Sequence, residues 1–310
     1  MAISENLETF AGKPVVDWEP EAGITDPAGT IPRISLSYDD ENQKWTDRFA
    51  EFLDDPAVGE VTGLVIGMWD ISFTEGDSSP VVEALVAARD RLPNLTAIFF
   101  GDITFEECEI SWIRQSDVSP LFDAYPNLEY FGVRGGDGLR LGSPRHERLK
   151  TLIVETGGLD ASVVRSISAA HLPALEHLEL WLGSDNYGAN VTVEDLAPIL
   201  SGDLFPNLRY LGLRDSEIAD RIAPALAQAP ILERIKVLDL SLGTLGDEGA
   251  AALLVSPTIS RLEKLDIHHH FCSEEMVQKL QALGVEVDAS DTQSAEEYDG
   301  ESYRYIAVSE

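Results

Sequence analysis

The chain has 310 residues, with 22 Lys+Arg against 55 Asp+Glu and a formal net charge of −33. Such a field repels phosphate backbones and anionic lipid, which argues against nucleic acid and membrane surfaces as partners and favours basic ones; solubility alone is the plainer explanation of the acidity. A hydrophobic share of 44% beside 25% charged residues is that of a folded chain, and the two cysteines, Cys108 and Cys272, form neither a CxxC pair nor a disulfide framework.

Met1 to Glu8 shows neither the basic nor the apolar part of a signal peptide. No apolar run approaches the roughly 20 residues that span a bilayer. The expected location is the reducing cytoplasm. Residues 1–30 fit no repeat and read as an N-terminal cap, in which Phe10 to Trp18 forms a strand or hairpin over the first coil. Asn42 to Leu53, with Trp45, Phe49 and Phe52, reads as an amphipathic helix.

From residue 31 to 288 one pattern recurs: apolar-x-x-apolar-x-apolar. A weak copy is Ile31/Ile34/Leu36, followed by Val61/Leu64/Ile66, Leu95/Ile98/Phe100 and Leu128/Phe131/Val133. Next come Leu149/Leu152/Val154, Leu175/Leu178/Leu180, Leu208/Leu211/Leu213, Ile235/Leu238/Leu240 and Leu262/Leu265/Ile267, with a degenerate Ala282/Val285/Val287. The steps from Val61 are 34, 33, 21, 26, 33, 27 and 27 residues, then 20 to the degenerate copy. Four copies share a lead-in of the type Leu92-Pro93-Asn94-Leu95. Repetition at this period predicts an α/β solenoid of about nine or ten parallel strands, with helices on the convex side. The last two apolar positions lie two apart and point into the array. Ser79 to Glu83 starts a helix with Pro in its first turn and a carboxylate near its positive end. Thr192 to Asp195 has capping-box spacing, and Gly246 to Leu253 opens a third helix with small residues that allow close packing against the sheet. Ala289 to Gly300 is acidic and polar and reads as a mobile linker; Tyr303 to Val308 reads as a short strand covering the far edge. The expected divisions are 1–30, 31–288 and 289–310, within one architectural domain.

The strand Val237-Leu238-Asp239-Leu240 followed by Leu245-Gly246-Asp247-Glu248-Gly249-Ala250 resembles the ribonuclease-inhibitor class of leucine-rich repeats. That class places Asn or Cys three residues after the last apolar position. Here the slot holds Ile103, Gly136, Gly157, Gly183, Ser216, Gly243 and His270, so the turns must satisfy their backbone groups otherwise. Gly101 to Thr104, Glu106 to Trp112, Val154 to Gly158 and Leu265 to His270 resemble a bacterial leucine-rich-repeat family without an assigned activity. This second resemblance implies genes for radical-SAM and ATP-grasp-like proteins nearby, and so an accessory role in a peptide-modifying system. It supplies no catalytic residue.

The register assigns the side chains that leave the concave face. Between the last two apolar residues lie Val65, Phe99, Gly132, Ile153, Glu179, Gly212, Asp239 and Asp266; after them lie Gly67, Gly101, Arg134, Glu155, Trp181, Arg214, Ser241 and His268. Arg134, Glu155, Trp181 and Arg214 are expected to form an exposed row, with Tyr130, His177 and Tyr210 beside it. Arg, Tyr and Trp dominate interface hot spots; a solvated row of internally paired charges is the alternative. Glu179, Asp239, Asp266, His268 and His269 form an acidic, histidine-bearing end, while His270 fills the inward turn slot. Asp239, Asp266 and His268 offer three metal ligands, but no HExxH or facial-triad spacing accompanies them. No phosphate loop or GxSxG elbow is present, and Cys108 sits between Glu107 and Glu109, against thiolate formation. The segment Glu106 to Ser119, with Trp112, Arg114 and Asp117, exceeds what the repeat requires.

The reading is a non-catalytic protein- or peptide-binding scaffold, without cofactor or resident metal, taking a protein or peptide, preferably basic. The alternatives are an inhibitor or immunity-like protein that neutralises a basic enzyme, and a metal-dependent hydrolase at His268.

Overall fold

The structure, a computed structural model, describes residues 3–37, 43–71 and 76–309. The chain forms two compact units: one holds residues up to Val154 with Ala169–Pro173, the other Glu155–Ser168 with Ala174–Ser309.

In the N-terminal unit, β1 (Thr9–Phe10) and β2 (Lys13–Asp17) form an antiparallel pair. The strands β3 (Ile31–Ile34), β4 (Gly63–Ile66), β5 (Ala97–Phe100) and β6 (Tyr130–Arg134) then add to β2 in parallel, in chain order. β7 (Thr151–Glu155) closes this half of the repeats. Helices α1 (Trp45–Leu53), α2 (Ser79–Ala87) and α3 (Pro120–Ala124) pack in succession. The expected amphipathic helix is α1, which buries Trp45, Phe49 and Phe52; Asn42 lies outside the described residues. At the start of α2 the carboxylate on the free N–H of Ser79 is that of Asp77, while Glu83 falls beyond the first turn.

In the C-terminal unit, β8 (His177–Gly183), β9 (Tyr210–Ser216), β10 (Val237–Asp239), β11 (Lys264–Asp266) and β12 (Glu286–Asp288) pair in parallel, again in chain order. Helices α4 (Ala161–Ser168), α5 (Val193–Leu200), α6 (Ala219–Ala227), α7 (Asp247–Leu254) and α8 (Glu274–Gln281) form the accompanying row. Both units are therefore α/β leucine-rich-repeat solenoid: parallel strands, one per repeat, backed by helices. The paired inward positions make the core. Leu178, Leu180, Leu211, Leu238, Leu265 and Ile267 are fully buried, and each contributes roughly 1.5–3 kcal/mol. Thr192 and Asp195 form the expected capping box on α5. The small residues of α7 admit α6 rather than the sheet: Gly249 donates to Asp220 Oδ1 at 3.0 Å, and a Cβ there would meet that oxygen at 2.6 Å.

Different side chains replace the asparagine ladder coil by coil. Thr156 donates to Trp181 O at 3.0 Å, and Gln115 donates to Arg134 O at 2.7 Å. His270, fully buried in its turn slot, accepts from Cys272 N through Nδ1 at 3.0 Å and donates to Ala289 O through Nε2 at 3.1 Å. Each such bond keeps a buried backbone group paired.

Two terminal features depart from the sequence reading. Val65 and Phe99, assigned to the open face, are buried, because the N-terminal segment lies across that face. Phe10 packs edge-on against Phe99 at 5.6 Å, with Ile31, Ala97, Leu7 and Val15 in the same cluster. Gly132 leaves room for the Phe99 ring, since a Cβ there would lie 2.4 Å from its edge. At the other end, the last part of the stretch Ala289 to Gly300, read as a linker, enters an antiparallel hairpin of β13 (Glu296–Tyr298) and β14 (Glu301–Tyr303). Of Tyr303 to Val308, read as a strand covering the far edge, only Tyr303 lies in a strand, as the last residue of β14. Ile306, Ala307 and Val308 are buried, with Ala307 N donating to Leu242 O at 2.8 Å and Val308 N to Asp215 Oδ1 at 2.9 Å.

Candidate functional site

The parallel register of the C-terminal unit sorts the helix-free face of its sheet into rows. His177, Tyr210, Val237, Lys264 and Glu286 form the first; Glu179, Gly212, Asp239, Asp266 and Asp288 form the second. Trp181 and Arg214 begin a third, which continues through Ser241 and His268. Neighbours within a row are about 4.8 Å apart. Three successive aspartates at that spacing require counter-charge or donors, and the flanking rows supply both.

At β8 and β9 the charges meet around Glu179. Its Oε1 accepts from Arg214 Nη1 at 2.7 Å and from the Trp181 indole N–H at 2.8 Å. Its Oε2 lies 3.3 Å from His177 Nε2, and the His177 ring stacks on Tyr210 at 3.8 Å between centroids. The Tyr210 hydroxyl donates to Asp239 Oδ2 at 2.6 Å. Arg214 Nε donates to Ser241 at 2.8 Å and lies 3.4 Å from Asp239 Oδ2. Burial would raise the Glu179 carboxyl, but the hydrogen bond from His177, the Arg214 charge and the Trp181 N–H together hold it at about 2. Burial raises the Tyr210 hydroxyl, and the charges of Glu179 and Asp239 raise it further, so it stays a neutral donor. Trp181 is only 7% exposed, not the exposed anchor expected, because its N–H is taken by Glu179 and its ring lies beneath Arg214 at 5.2 Å.

At β11 and β12 the arrangement is more open. Lys264 Nζ lies 2.8 Å from Asp266 Oδ2 and 3.5 Å from Asp288 Oδ2. His268 Nδ1 is 2.7 Å from Asp266 Oδ1, and that hydrogen bond, against the opposing effect of burial, raises the His268 pKa. Asp266, His268 and Asp288 can bring one ligand atom each within 4.8 Å of one another. The Lys264 ammonium already answers two of these carboxylates. Asp239, grouped with Asp266 and His268 by sequence, instead accepts from Tyr210 and from Ser241 N. Sequence inspection missed Lys264 and Asp288; their place two residues before and one strand beyond Asp266 was readable from the repeat.

The remaining site candidates separate from this cluster. His269 turns away through a left-handed φ of 57° and is buried, with Nδ1 3.3 Å from Asp291 and Nε2 3.2 Å from Tyr305 O. Glu155 ends β7 as a buried residue. Tyr130 and Arg134 belong to the N-terminal unit, where Tyr130 packs on Phe10 at 6.5 Å and Arg134 is 3% exposed. Asp102, fully buried, collects Arg134 Nη1 at 3.3 Å, Arg33 Nη1 at 2.9 Å and Leu7 N at 3.1 Å. Arg134 therefore belongs to a buried cluster that pins the N-terminal segment.

Among the described residues no helix is long and apolar enough to cross a membrane. No protein-family model and no curated protein sequence matches the chain. An internalin from Listeria monocytogenes is 14% identical, with a TM-score of 0.38 over 85% of this chain and 61% of its own. A crystal structure of a Bacteroides fragilis protein aligns with a TM-score of 0.80 and 33% identity over 89% of this chain and 76% of that one. The chain belongs to the same protein family as this Bacteroides fragilis protein.

Proposed function

We propose that the chain is a non-catalytic protein- or peptide-binding scaffold, and that its contact surface is the helix-free face of β8 to β12. The observation that carries this reading is the ordered charge network there. Glu179, Tyr210, Arg214 and Asp239 hold one another in fixed positions at 2.6–3.4 Å, while His177, Lys264 and His268 keep about 30% of their side-chain surface exposed. A face whose polar groups are locked in advance loses little side-chain entropy on binding. The partner is a protein or peptide that pairs with the aspartate row, and the role is accessory, within a peptide-modifying system.

The net charge of −33 favours a second use of the same face, neutralising a basic enzyme. The two differ in salt dependence, since long-range attraction between opposite charges is screened. The test is co-purification from the native source, identification of the retained protein, and titration of that protein against the double variant His177→Ala/Asp288→Lys. Loss of binding is expected, and unchanged affinity would overturn the face assignment. A complex that weakens steeply between about 50 and 500 mM salt, over which the Debye length falls roughly threefold, selects the neutralising role.

A further inference from the structure

We propose that a groove in the N-terminal unit, walled by Trp69, Phe105 and Trp112 and rimmed by Asp70, Glu107 and Glu109, docks a peptide segment bearing alternating cationic and aliphatic side chains. The groove encloses about 420 Å³. Trp112 is 70% exposed and Phe105 42%, the two most water-facing aromatics among the described residues of this unit. An exposed indole is a poor use of apolar surface in a monomer and a common anchor at interfaces.

The indole is presented on a firm support. Trp112 closes a single 3-10 turn, Ile110–Trp112, between two nearly buried side chains, Ile110 and Ile113. The Trp112 backbone N–H donates to Glu109 O at 2.9 Å, and three residues on Gln115 is tied to Asp137 O at 2.7 Å and Arg134 O at 2.7 Å. This explains the extra length of the segment: it builds a rigid wall, not a slack loop.

The rim selects the charge of the occupant. Thr104 donates to Glu107 Oε2 from its N–H at 2.8 Å and from its hydroxyl at 3.0 Å, which fixes that carboxylate in place. The Glu109 carboxylate has no hydrogen-bond or ion-pair partner among the described residues. Burial, and after it the charges of Glu109 and Glu107, push the Cys108 thiol up to about 11. Arg114 also lines it but lies 3.8 Å from Asp137. A lysine or arginine side chain fits both demands: its methylenes cover the aromatic wall, and its cation reaches the rim and the indole face.

The site shares no residue with the β8 to β12 face, and the two readings stand or fall separately. The test is calorimetric titration of the full chain with acetyl-Lys-Leu-Lys-Leu-Lys-amide and with its Glu-for-Lys counterpart. One-to-one binding of the lysine peptide alone is expected, weakened about tenfold by Trp112→Ala and by Glu109→Lys. Glu176→Lys, an equal charge change at an exposed position in the other unit, is expected to weaken it less than about threefold. Thermal melts confirm that each variant is folded. Absence of binding, indifference to Trp112→Ala, or equal weakening by Glu109→Lys and Glu176→Lys would each overturn the proposal.

Discussion

Arg214 on β9 reaches across to Glu179 on β8 and meets it at 2.7 Å, with both side chains more than 80% removed from water. Removing one partner of such a pair strands the other charge in the interior. Glu179→Gln is expected to cost about 3 kcal/mol, read as a lower urea midpoint at unchanged slope. Arg214→Met, which removes the guanidinium, is expected to cost as much, and the double variant less than the sum. Strict additivity would refute the coupling.

The same carboxylate gives an acid limb to stability. Its folded value lies near 2, against 4.5 for a free glutamate. A depressed acid stabilises the fold wherever the unfolded chain would bind the proton first. The contribution is present above about 4.5 and is lost as the pH falls toward 2. The stability difference between wild type and Glu179→Gln is therefore expected to shrink between pH 5 and pH 2, taken as roughly the span of the two values. A constant difference across that interval would contradict the assigned environment.

Two histidines separated by one residue, His268 and His270, are expected to titrate in opposite directions. The hydrogen bond to Asp266 raises His268, whereas burial lowers His270. Because the His268 value is raised, its stabilising effect is present below the unfolded value near 6.5 and disappears as the pH rises through the folded one. Ring-proton NMR resolves both midpoints. Asp266→Asn is expected to bring His268 down while leaving His270 in place; equal midpoints in the wild type would refute the arrangement.

Gly132→Ala places a methyl 2.4 Å from the Phe99 ring. Such overpacking is expected to cost about 1–3 kcal/mol. Phe99→Leu in the same chain is expected to restore part of the loss, measured by thermal melting. A neutral Gly132→Ala would show that the ring can move aside.

The repeat could be read from sequence because every coil buries the same two apolar positions, and β3 to β12 lie where that pattern puts them. Strand register follows from it, so the repeat alone puts Glu179, Asp239 and Asp266 in one row. Exposure could not be read that way. The indole of Trp181 is buried by Glu179 and Arg214, partners two residues back and one strand across, and no pattern within one repeat encodes that pairing. Phe99 is covered by Phe10 from 89 positions upstream, a contact between segments outside the repeat's own logic. The hairpin at Glu296 to Tyr303 was hidden by acidic composition, which speaks for solvation but is compatible with an exposed pair of strands.

Solenoids ordinarily assemble from nearest neighbours, so that a growing polypeptide can settle one coil at a time. Here the seat of Leu7 on Asp102 spans 95 positions of sequence. Leu7 and Phe10 are translated well before Asp102 and Phe99 and must therefore wait, uncovered, until the strands that hold them have been made. Coils β3 to β6 can condense during that interval, and the leading segment locks down last, across their finished surface. Its docking is a late, non-local step grafted onto a process otherwise built of local ones, and it sets how long that sheet face stays open in a newly made chain.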